Sequence, residues 1–136
     1  MPASLYIVVE GDDPEFDIFV LGQALARNED ALERLAERLR VSPLLGYFSA
    51  DENSMALLLE QGTGISDSSR PLPQLQWFSA LDGLLTVRAL IDFLVATPTA
   101  LGSETLPVLS ELRGYERVLR KTAKHGLRWH LAVSWR

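Results

Sequence analysis

The 136-residue sequence contains no cysteine. That absence excludes a disulfide framework, a thiolate nucleophile and cysteine-ligated zinc outright. Histidine is nearly as scarce. Only His125 and His130 occur, in no metal-binding spacing such as HExxH, so a three-histidine zinc site cannot form within one chain. The motifs that mark other chemistries are missing as well: there is no G-x-S-x-G elbow, no Walker phosphate loop and no G-x-G-x-x-G fingerprint. Gly62-Thr63-Gly64 lacks both the third glycine and a preceding strand. No run approaches the ~20 apolar residues of a membrane span, and the N-terminus lacks the basic, apolar, small-residue order of a secretion signal. The expectation is a soluble cytoplasmic protein with no membrane contact, no metal, no cofactor and no catalytic residue that can be assigned. Positive charge is also in short supply. Thirteen Lys and Arg against 18 Asp and Glu give a net charge of -5 and a pI near 5.0, which argues against a nucleic-acid partner because phosphate neutralisation needs a basic surface.

What is present is ordinary for a folded domain: 47% hydrophobic and 23% charged residues, and length enough for one core. Leu5 to Glu10 form a β-branched and aromatic run that stops at Gly11, which predicts a strand. Residues 11 to 17 follow as a turn rich in aspartate; Asp12, Asp13, Glu15 and Asp17 do not reproduce the alternate ligand spacing of an EF-hand loop. The short stretch Ile18 to Gly22 fits either a brief strand or a buried connector. With Asn28 as N-cap, Leu32, Leu35, Ala36 and Leu39 line one face of a helix that ends before Val41-Ser42-Pro43. A shorter helix is expected from Asn53 or Ser54 to Gly62 or Gly64, then a long Gly/Ser/Pro-rich loop to Gln76. Asp82 reads as the cap of a helix to Ala96 that is apolar nearly all round and therefore central. A last helix runs from Ser103 or Thr105 to His125, with Leu106, Leu109, Leu112, Tyr115 and Leu119 as its buried stripe and Gly126 in the left-handed C′ position.

The clearest strand closes the chain. From Leu127 to Arg136 large apolar residues alternate with small or polar ones at period two: Leu127, Trp129, Leu131, Val133 and Trp135 on one face, Arg128, His130, Ala132, Ser134 and Arg136 on the other. Two terminal strands leave unpaired backbone groups unless they pair with each other. Residues 1–136 thus read as one α+β domain, about four helices covering the Trp129 face of a small sheet that contains both chain ends.

Charge is divided unevenly. Residues 1 to 68 hold 13 acidic and 4 basic side chains; residues 69 to 136 hold 5 acidic and 9 basic. Arg113, Arg117, Arg120, Lys121 and Lys124 have the spacing of a solvated helix face. A second feature follows from pairing the terminal strands antiparallel with Ile7 near Leu131: Glu10 then falls opposite Arg128 and Val8 opposite His130. Glu10, Arg128 and His130 form a polar cluster away from the aromatic face. An edge salt bridge is its commonest outcome, and anion binding or acid–base work its functional one. Trp77, ahead of the Asp82 helix, either anchors the long loop or lines a pocket beside that cluster.

Three stretches, Ser4-Leu5-Tyr6-Ile7-Val8-Val9-Glu10, Gln76-Trp77-Phe78 with Asp82-Gly83-Leu84 and Thr86-Val87-Arg88-Ala89-Leu90, and Gly126 to Val133, together resemble a family of small uncharacterised bacterial proteins. The resemblance implies a bacterial origin and a single domain, and transfers no activity, cofactor or site residue. The leading expectation is a non-enzymatic protein-binding role, for example an immunity or accessory protein that neutralises a toxin. The alternative is a small-molecule-binding protein or enzyme that uses Glu10, Trp77, Arg128 and His130 as ligand-binding residues. Self-association through an exposed strand end carrying Trp135 is a third reading.

Overall fold

The computed structural model describes residues 3–11, 16–49 and 76–134. Strand β1 (Ser4–Val9) and strand β3 (Arg128–Ser134) pair antiparallel, with Ile7 opposite Leu131, Val8 opposite His130 and Val9 opposite Trp129. The register is the one expected from the alternation of side chains. On its other side β3 pairs with a two-residue strand, β2 (Phe78–Ser79), which places Phe78 opposite Trp129 and Ser79 opposite Arg128. The order is β1-β3-β2, so the last strand of the chain is the middle of the sheet. An isolated parallel bridge joins Phe48 to Leu131 on the β2 side, with Ser49 N donating to Leu131 O at 3.0 Å. Two residues carry no readable period, and neither β2 nor this bridge is expected from sequence.

Among the described residues four α-helices accompany the sheet: α1 (Gln23–Arg27), α2 (Glu29–Leu39), α3 (Ala80–Ala96) and α4 (Thr105–Lys124). Leu5, Ile7, Val9, Trp129 and Leu131, all on one sheet face, join Leu25, Leu32, Leu84, Leu90, Leu112 and Leu119 in a single buried cluster. The ring of Tyr47 stacks on Trp129 at 5.1 Å and its hydroxyl donates to Asp82 O at 3.0 Å, which ties the turn after α2 to α3. Trp129 itself is wholly buried, and Gly83 makes room for it: a Cβ there would lie 2.4 Å from the indole Cζ2. Tyr115, also wholly buried, donates to Leu5 O at 2.7 Å.

Several expectations are corrected. Ser79, not Asp82, caps α3: the Ser79 hydroxyl accepts from Asp82 N at 3.4 Å. The helix is not central either; Leu81, Leu85 and Val95 lie on a solvent-facing side. On α4 the buried stripe runs through Val108, Leu112, Tyr115, Val118 and Leu119, while Leu106 is exposed. Asn28 occupies the N-cap of α2, yet its amide donates to Ala24 O at 2.8 Å and to Glu104 Oε1 at 3.3 Å instead of capping. The opposite sheet face is wet only in part, since His130 and Ala132 are wholly buried there.

Residues 16 to 22 are a connector, extended along α4. Phe16 stacks on His125 at 5.2 Å, Val20 lies against Gly114, and Leu5 N donates to Gly22 O at 3.1 Å. The helix expected from Asn53 or Ser54, the loop of residues 62–75, the aspartates 12 and 13, and Trp135 all lie outside the described residues. Among the described residues no helix is long and apolar enough to cross a membrane.

Candidate functional site

The sheet face opposite the helices brings the four candidate side chains into two adjacent rows. Glu10, Arg128 and Ser79 form one row, and Val8, His130 and Trp77 the next, by the pairing of β1 and β2 with β3. Successive rows on one face are ~7 Å apart, within reach of long side chains.

The first row is an ion pair. Glu10 N donates to Arg128 O at 2.8 Å, extending the ladder one residue past β1. The Glu10 carboxylate accepts from Arg128 N at 3.2 Å, from Nε at 3.2 Å and from Nη2 at 2.5 Å. The guanidinium hydrogen bonds hold the Glu10 carboxyl below the usual carboxylate range, and the same bonds raise Arg128. Arg128 is more than half exposed, so the pair is an edge clasp in high dielectric.

The second row differs. His130 is wholly buried, and the Trp77 ring meets it edge-on, centroids 5.0 Å apart. Its Nδ1 donates to Leu131 O at 3.0 Å, since a carbonyl can only accept. Nε2 is buried with no hydrogen-bond partner among the described residues. His130 therefore shares a face with Glu10 and Arg128 but makes no hydrogen bond or ion pair with either among the described residues. The expected three-member cluster resolves into a solvated ion pair and a separate histidine–tryptophan contact.

A described hollow of ~10 Å³, room for about one water, lies elsewhere, lined by Leu5, Leu25, Leu32, Pro43, Leu44 and the α2 carboxylates Glu29 and Glu33. None of the four candidates borders it. Among the described residues no group of three or more His, Asp or Glu is arranged to hold a metal ion.

A face of like charge lies on α4. Arg113, Arg117, Arg120, Lys121 and Lys124 are all exposed, and none makes an ion pair among the described residues, whose pairs are Arg27–Glu104, Arg88–Glu116 and Arg128–Glu10. Beside it, the connector that seats Val20 on Gly114 turns Phe19 and Leu21 outward, 71% and 61% exposed. The charge was legible in the helical spacing; the apolar flank was not, because Phe19 and Leu21 read equally well as core. No family model, curated protein or solved structure matches the chain.

Proposed function

We propose that this chain is a non-enzymatic bacterial protein-binding protein whose partner surface is the outer face of α4 with its apolar flank, and that the partner is an acidic protein. One observation carries the reading: five exposed cations with no ion-pair partner among the described residues lie on one helix of a chain with net charge -5, beside two outward-facing large apolar side chains. Arginine and aromatic residues are enriched in protein interfaces, where apolar anchors supply affinity and charge supplies steering and register. Phosphate backbones would use the cations but not Phe19 or Leu21, which favours a protein over a nucleic acid. An immunity or accessory role, in which a small protein neutralises a toxin by covering it, fits this class.

Charge reversal tests the proposal. A tagged chain should retain an acidic protein from extracts of its source cells, and the Arg117→Glu/Lys121→Glu variant should lose it by tenfold or more with unchanged circular dichroism. Raising salt should weaken retention of the partner. A chain that emerges alone and monomeric, or that holds nucleic acid instead, defeats the reading.

A second reading, a small-molecule site on the sheet face, is favoured by the His130 Nε2, which has no hydrogen-bond partner among the described residues and whose ring meets Trp77 edge-on. A donor group of a ligand would satisfy that nitrogen. A thermal-shift screen should then find a compound that raises the melting temperature of the native chain but not of His130→Phe, and that moves the His130 ring signals in NMR. A compound that stabilises both chains equally rules this site out.

A further inference from the structure

The outer side of α3 is a solvent-facing side with a pattern of its own. Leu81, Leu85, Arg88, Asp92 and Val95 follow one another at spacings of four, three, four and three residues, the repeat of a helix–helix seam. All five are exposed, Leu81 by 65%, Leu85 by 66% and Val95 by 52%. The opposite side of the same helix, through Leu84, Val87, Leu90, Ile91 and Leu94, already fills the core. No other described element of the chain covers the seam.

Its charges decide what fits. Two copies of α3 laid side by side in parallel would set Arg88 against Arg88 and Asp92 against Asp92. Laid antiparallel about a two-fold axis level with residue 90, each Arg88 faces the other copy's Asp92, and each Leu85 faces the other copy's Val95. Apolar side chains meet in either arrangement, but the charges complement each other only in the antiparallel one, which is an isologous contact. Arg88 also pairs with Glu116 on α4 at 3.5 Å within its own chain, and its five N–H donors can serve a second carboxylate as well.

We infer that the Leu81–Val95 stripe of α3 binds a second copy of this chain, antiparallel, with two reciprocal Arg88–Asp92 pairs between two Leu85–Val95 layers. A single helix pair is at the small end of protein interfaces, so the dimer is weak and concentration-dependent. It uses a surface distinct from the cationic face of α4, and its failure leaves the partner proposal standing.

Sedimentation velocity across a concentration series, with the Arg88→Asp and Asp92→Arg chains prepared separately, reads the arrangement directly. The wild-type chain should shift from monomer towards dimer as concentration rises. Each variant alone places like charges at both central contacts and should associate at least tenfold more weakly. Mixed in equal amounts, the two variants should recover a dimer, because the Arg88→Asp chain then presents two acids to the two bases of the Asp92→Arg chain. Circular dichroism of each variant checks that α3 still forms. A wild-type chain that stays monomeric up to about 1 mM overturns the inference. So does a dimer that neither variant weakens, which would belong to another surface, or a mixture that fails to associate when both variants are folded.

Discussion

Gly83 carries an apparent contradiction. It stands inside α3, where replacing glycine by alanine ordinarily stabilises a helix by ~1 kcal/mol. Here the new Cβ would meet the Trp129 ring at 2.4 Å, and that ring is rigid, wholly buried and stacked on Tyr47. Overpacking costs about 1–3 kcal/mol and outweighs the propensity gain. Gly83→Ala should therefore lower the urea midpoint with an unchanged slope; a raised midpoint would show that the indole can move aside. The Glu10–Arg128 pair makes a different prediction, in pH. The folded-state pKa of Glu10 is depressed by its hydrogen bonds to Arg128. The pair thus favours the folded state above the unfolded carboxylate pKa, about 4.3, and that contribution disappears as pH falls through the lower folded value. In Arg128→Gln the Glu10 carboxyl, followed by carbon NMR, should titrate back in the ordinary carboxylate range. An unaltered titration would mean that the clasp is not populated in solution.

Helix α1 shows how an element can exist without a local signal. Five residues cannot sustain a helix by themselves. Its first turn is closed by Glu111, whose Oε2 accepts from Ala24 N at 3.1 Å and Oε1 from Leu25 N at 2.9 Å, while Arg27 pairs with Glu104 at 2.8 Å. Both carboxylates belong to α4 or the turn before it, far along the chain, so no window around residue 23 could reveal the cap. The terminal strands β1 and β3 and the long helices α2 and α4 were readable because their signal lies within one segment. On α3 the repeat misled: a helix apolar on most sides does not say which side its own chain leaves bare. Replacing Glu111 by alanine leaves two amides at the start of α1 without acceptors and should cost about 1–2 kcal/mol. The amides of Ala24 and Leu25 should exchange faster in Glu111→Ala while those of β1 and β3 keep their protection. Equal loss of protection in the strands would show that α1 does not open independently.

Across the molecule, β3 is the element on which the others converge. β1, β2 and the Phe48 bridge all pair with it, and Trp129 and Leu131 anchor the buried cluster from it. The candidate site was legible to the same depth as this sheet. Parity along the terminal strands places Glu10, Arg128 and His130 on one face, but the Trp77 ring that meets His130 edge-on arrives beside a two-residue strand that has no period to read. A chain ending at Gly126 should therefore keep much of the local preference for α2, α3 and α4 and lose what organises them. We expect substantial far-ultraviolet helical signal, loss of near-ultraviolet signal from the aromatic core, and no cooperative thermal transition, the signature of a compact state without fixed packing. Adding a peptide of residues 127–136 should restore the near-ultraviolet signal in a saturable way, because the groove between β1 and β2 presents the backbone donors and acceptors of a missing middle strand. A truncated chain that unfolds cooperatively at the wild-type temperature would show that the helices form a core independent of β3. The pairing of the chain's two terminal strands would then be a consequence of the fold and not its condition.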